Sequence, residues 1–86
     1  MSNKEIKFTK HVLDRCSERG TTEQEIIQTI RDYSWKAAKD EKMECRGTFI
    51  FNAIWGAKFY AKKDVRPIFV ENKDSIVVVS VYTYYY

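Results

Sequence analysis

His11, the only histidine of the chain, is followed at four and eight residues by Arg15 and Arg19 in the stretch FTKHVLDRCSERG, Phe8 to Gly20. Residues four apart are neighbours on a helix surface, so these three side chains would line one edge of it. An imidazole with an unperturbed pKa of about 6.5 can take or give a proton near neutrality. Guanidiniums keep their charge and grip phosphate through paired hydrogen bonds. Proton transfer beside fixed cations is the chemistry of phosphate groups. The same arginines have an ordinary use as well, in helical ion pairs with Asp14, Glu18 or Glu23 worth about 0.3 to 0.5 kcal/mol.

A second candidate stretch, KFYAKKDVR, interleaves Lys58, Lys62, Lys63 and Arg66 with Phe59 and Tyr60. Cations spaced among aromatic rings suit a single-stranded nucleic acid, whose phosphates meet the charges while its bases stack on the rings. The alternative is an amphipathic strand with a solvated lysine face. Trp35 and Trp55 are expected in the core or at an interface. No metal is expected, because Cys16, Cys45 and His11 lack the close ligand pairs of a zinc site. Without secretory features, the two cysteines should be reduced and buried.

The net charge of +3, from 15 basic and 12 acidic residues, is too small to identify a partner by itself. Its distribution is more informative. Acids gather at Glu18 to Glu25 and Asp40 to Glu44, whereas Lys58 to Arg66 is basic. No segment reaches the roughly 20 apolar residues that span a bilayer, and the opening MSNKEIKF has no signal-peptide pattern. The expectation is one cytoplasmic domain over residues 1–86, with no membrane partner.

The elements that must position these groups follow from capping and periodicity. Thr9 is placed to cap a helix over Lys10 to Arg19, which Gly20 ends in the left-handed conformation. Thr22 and Glu25 have capping-box spacing before a second helix whose Ile26, Ile27, Ile30 and Tyr33 share a face. On the first helix, Val12, Leu13 and Cys16 form the apolar stripe, and His11, Arg15 and Arg19 border it.

Beyond Tyr33 the apolar period drops to two. GTFIFNAIW, AKFYAKK, VRPIFVEN and DSIVVVSVYTYYY predict four strands, broken at Gly56, at Lys63-Asp64 and at Asn72-Lys73-Asp74. The last two should form a hairpin through ENKD. SWKAAKDEK is compatible with a helix tail or an edge strand. The expected fold is α+β, with two N-terminal helices packed on one face of a twisted antiparallel sheet of about four strands. Val77, Val79 and Val81 should meet the helices, leaving Val78, Ser80, Tyr82 and Tyr84 outward.

FTKHVLDRCSERG followed by TTEQEIIQTI, together with the closing VRPIFVENKDSIVVVSVY, resembles the domain-of-unknown-function family numbered 4258. That family is similar to the fold shared by RelE-type toxins, barnase, EndoU and colicin ribonucleases. The resemblance implies functional roles for His11, Arg15 and Arg19, for Arg66 opening the penultimate strand, and for Ser80 where a threonine is usual.

It further implies a toxin-like, metal-independent endoribonuclease. RNA would be the partner, free or on the ribosome, and an antitoxin or immunity protein the inhibitor. Such cleavage requires a base for the 2′-hydroxyl, an acid for the 5′-oxygen and cations around the phosphate. His11, Arg15 and Tyr82 are the expected catalytic residues. Arg19, Lys58, Lys62, Lys63, Arg66 and Ser80 are the expected substrate contacts, with no cofactor. Alternatives are a noncatalytic RNA-binding or protein-interaction domain of the same fold, and a structural domain that docks a partner through its tyrosine edge.

Overall fold

A computed structural model describes residues 4–86. In chain order it contains β1 (Glu5–Phe8), α1 (Lys10–Arg19), α2 (Glu23–Asp32), β2 (Lys36–Ala37), β3 (Met43–Glu44), β4 (Gly47–Trp55), β5 (Lys58–Glu71) and β6 (Ser75–Tyr85). The strands form one mixed sheet in the order β1-β6-β5-β3-β2, with β4 also paired to β5. Among the described residues no helix is long and apolar enough to cross a membrane.

Local signals set the helices. The Thr9 hydroxyl accepts from the Val12 amide and the Thr22 hydroxyl from the Glu25 amide, satisfying amides that a helix start leaves without partners. Gly20 ends α1 at φ 76°. A Cβ there would also collide with the Tyr85 hydroxyl and lie 2.7 Å from the Trp55 ring, so close packing as well as conformation requires glycine. Val12 and Cys16 of α1 join Ile26 and Ile30 of α2 in one core with Val65, Phe69, Ile76, Val78 and Val81 of the sheet. Leu13, expected in the apolar stripe, is 44% exposed because α1 turns only Val12 and Cys16 inward.

The sheet has six strands where about four were expected. β1 precedes both helices and pairs in parallel with Ser75–Val78 of β6, so the sheet is not wholly antiparallel. Only Ile6 and Phe8 of this short, charged strand pack against the core, which leaves a weak periodic signal. The SWKAAKDEK segment supplies edge strand β2 and a tight return. There Asp40 and Glu41 have φ of 58° and 61°, and the Lys42 amide donates to the Lys39 carbonyl.

Lys63-Asp64 does not break the chain into two strands. β5 runs through it for 14 residues, since both side chains are buried and partnered instead of being solvated in a turn. The Lys63 ammonium donates to Glu25 Oε1 and the Gly20 carbonyl, each at 2.8 Å. Asp64 accepts from Arg46, Thr48 and Tyr86. Pro67, with no N–H to offer, falls where β5 changes neighbour from β4 to β3. The hairpin joining β5 to β6 closes at ENKD as expected, with the Asn72 amide donating to the Ser75 carbonyl.

A bulge decides which side chains of β6 face outward. Phe69 pairs with Val78 but Ile68 pairs with Ser80, leaving Val79 without a partner on β5. Before the bulge Ile76 and Val78 are buried, and after it Val81 is. The expected inward set of Val77, Val79 and Val81 is therefore right only for Val81. The extra residue reverses the alternation and turns Ser80, Tyr82 and Tyr84 to the face away from the helices.

Candidate functional site

Cross-strand register assembles the outer face. Arg66 pairs with Tyr82, Asp64 with Tyr84, and Ile68 with both Ser80 and Glu44, so these residues project from one side of the sheet. At its centre Arg66 grips the nearly buried Glu44 with two parallel hydrogen bonds, Nε to Oε2 at 3.0 Å and Nη2 to Oε1 at 2.9 Å. Its remaining nitrogen, Nη1, donates to the Tyr84 hydroxyl at 3.0 Å. The Arg66 hydrogen bonds hold the Glu44 pKa below the usual carboxylate range despite burial, with help from the charges of Arg66 and Lys36. Glu44 in turn raises the Arg66 pKa, so this side chain stays charged.

Beside this pair opens a cavity of about 320 Å³ lined by Lys39, Asp40, Lys42, Glu44, Arg66, Ile68 and Tyr82, with Ala38 at its margin. The turn at Asp40 and Glu41 carries Lys39 and Lys42 to its wall. Tyr82 forms the opposite side, and two cations meet its ring. The Cζ atoms of Arg19 and Arg66 each lie 5.5 Å from its centroid, within the range of attraction between a cation and an aromatic face. Arg19 reaches there from the helix side, past the stretch of β6 that β1 leaves uncovered.

The structure thus brings together Arg19, Arg66 and Tyr82 of the sequence-predicted set. Ser80 is half-buried beside them on the same face. Arg15 pairs with Glu18 at 3.0 Å along the surface of α1. His11 is exposed two turns before Arg19, about 12 Å away along the helix axis. It does not line the cavity.

Lys62 and Lys58 lie about 13 and 26 Å from Arg66 along β5 at the ordinary rise per strand residue. Lys58 instead approaches the Tyr60 ring, 5.8 Å from its centroid. Lys63 is a correction, because it is 5% exposed and bound to Glu25 and cannot meet an external phosphate. The substrate row read from KFYAKKDVR is therefore split between the strand's two faces and along its length.

Glu44, Lys39 and Lys42 were missed. The signal for Glu44 was the alternation in KMEC, where it stands beside Cys45 in a two-residue strand too short to reveal which side chain faces the sheet surface. Both cysteines are free and buried. Burial pushes the Cys45 thiol up to about 12, with Glu44 adding to the effect, and it raises Cys16 as well, so neither is an activated thiolate. Among the described residues no group of three or more His, Cys, Asp and Glu side chains could hold a metal. No family model, curated protein or solved structure matches the chain.

Proposed function

We propose that this domain is a small, metal-independent endoribonuclease of the toxin-like class, acting through the outer sheet face. The observation that carries the reading is the cavity that gathers two carboxylates, Glu44 and Asp40, with a guanidinium, a phenol and two lysines. In this scheme the Glu44 carboxylate takes the ribose 2′-hydroxyl proton, and the freed oxygen bonds to the adjacent phosphorus. The bond from phosphorus to the 5′-oxygen breaks, and the Tyr82 phenol gives that oxygen a proton. Arg66, Arg19, Lys39 and Lys42 offset the negative charge that builds on the phosphate. The products are a 2′,3′-cyclic phosphate and a 5′-hydroxyl, and solvent restores both proton carriers.

A lowered pKa keeps Glu44 ionised but makes it a weak base. An incoming phosphate offsets this by competing for Arg66, because each hydrogen bond it draws away weakens the interaction that holds the Glu44 pKa low. His11 takes no part in this scheme. The motif resemblance supports RNA as substrate, with the ribosome as the setting and an antitoxin or immunity protein as the restraint. A cytoplasmic location fits that setting.

A second reading, a noncatalytic RNA-binding domain, is favoured by one feature: Arg66 already engages Glu44 and Tyr84 with all three nitrogens. Phosphate would then fall to Arg19, Lys39 and Lys42, which have no ion pair among the described residues. Incubation with single-stranded RNA and with ribosomes in EDTA separates the two. Cut RNA supports the enzyme, and salt-dependent binding of uncut RNA supports the second reading. Absence of binding rejects both.

A further inference from the structure

The β4–β5 arm carries an apolar surface that lies outside the site just described. Three of the six large hydrophobic side chains left exposed among the described residues are there: Ile50 at 82%, Ile54 at 63% and Phe59 at 56%. Exposure alternates along β4, placing Thr48, Ile50, Asn52 and Ile54 on one side and Phe49, Phe51 and Trp55 on the half-buried other. Ile54 pairs with Phe59 across the arm, so those two exposed side chains are neighbours, while Ile50 stands opposite Lys62 before the bulge. The opposite side is held by Trp55 stacked on Tyr85, 5.0 Å between centroids, with Phe51 at 5.1 Å from the same ring. The arm is thus anchored from one face and bare on the other.

Its outer edge is open beyond Thr48, whose backbone N–H and C=O both meet the Tyr33 hydroxyl. Among the described residues β4 pairs only with β5, leaving the backbone groups of its far edge without a strand partner. Soluble proteins guard such edges with lysine, glutamate, proline or a bulge, because an unguarded edge pairs with its own copy. From Gly47 to Ala57 this chain places 11 residues in succession without a charge or a proline. Two features interrupt the edge among the described residues: the Tyr33 hydroxyl bound to the Thr48 backbone, and the bulge between Ile50 and Ala53, where Asn52 has φ 45°. A nucleic-acid partner would need cations on this edge, and an acidic peptide would need them equally. The edge has none to offer either.

We infer that β4 is a self-association edge, pairing antiparallel with β4 of a second copy across a twofold axis. Two charge-free edges meet without repulsion, and the exposed isoleucines of both copies then lie side by side on a continuous sheet. The pairing is closed, since each copy uses its single β4.

Sedimentation velocity and light scattering over a concentration series test it, with hydrogen exchange followed in parallel. The expected results are a species of twice the chain mass and β4 amides that gain protection as concentration rises. Ile50→Lys and Ile54→Lys should each raise the dissociation constant about ten-fold or more. Both positions are exposed, so circular dichroism should stay unchanged. Leu13→Lys, at an exposed apolar position on α1, should leave the dimer intact. A wild-type chain that stays monomeric throughout would overturn the inference. So would a dimer indifferent to both isoleucine substitutions, or open-ended growth instead of a closed pair.

Discussion

The guanidinium of Arg19 lies 5.5 Å from the centroid of the Tyr82 ring, although α1 and the Tyr82 side chain belong to opposite faces of the sheet. The contact closes around the end of α1. There the Arg19 carbonyl accepts hydrogen bonds from the Thr83 and Tyr85 hydroxyls on the helix face, leaving its side chain to reach past β6. The phenol is thereby held between a helix residue and a strand residue, Arg66.

Tyr82→Leu should lower stability by about 1 to 2 kcal/mol, since it removes two contacts between cation and ring, each worth about 0.5 to 1 kcal/mol. Tyr82→Phe keeps the ring and should stay within about 0.5 kcal/mol of wild type. Denaturant titration of both variants measures the difference. Equal losses would assign the stabilisation to the hydroxyl.

Lys63 should be among the costliest charged residues to remove. Lys63→Met would leave Glu25 without its cation and the Gly20 carbonyl without its donor, a loss of about 3 kcal/mol by analogy with broken buried pairs. Adding Glu25→Leu should recover much of it, because the remaining charge is then gone as well. A thermal melt of the single and double variants checks this, and an unchanged single variant would place Lys63 in solvent.

Lys63-Asp64 also shows where the sequence was readable and where it was not. Both helices, their caps, Gly20 and the ENKD hairpin were legible because each depends on residues a few positions apart. The continuity of β5 was not. It depends on Glu25 and Arg46, 38 and 18 residues away, which turn two apparent turn formers into buried ion-pair partners. The bulge at Val79 was hidden too, since a run of valines carries no mark of the residue that drops out of register. In the site, Arg19 was legible from the helix edge and Tyr82 from strand alternation, while Arg66 was singled out by the motif resemblance. Glu44 was not, because its partner is 22 residues away.

Acid should unfold the protein through Glu44 and Asp64. Arg66 lowers the Glu44 pKa. Burial alone would raise that of Asp64, but hydrogen bonds from Arg46, Thr48 and Tyr86 outweigh it and leave the pKa lowered. A depressed folded-state pKa means that the unfolded chain binds protons first. The stabilisation is full above the ordinary carboxylate pKa values of 4.5 and 3.8 and is lost as pH falls through the lower folded values. Melting temperature should therefore be flat from neutrality to about pH 5 and fall below it. Glu44→Gln should shrink the drop, and a drop of wild-type size in that variant would exclude Glu44 as a source.

The central claim is that Glu44, and not His11, moves the proton in RNA cleavage. The direct measurement is the cleavage rate of single-stranded RNA, with and without ribosomes, in EDTA for wild type, Glu44→Gln and His11→Ala, with product ends identified and folding confirmed by circular dichroism. Wild type should yield 2′,3′-cyclic phosphate and 5′-hydroxyl ends. Glu44→Gln should be slower by about 100- to 10,000-fold at nearly unchanged RNA affinity, while His11→Ala stays within about three-fold of wild type. RNA left intact by the wild-type protein would contradict the account, as would full activity in Glu44→Gln or loss of activity in His11→Ala alone.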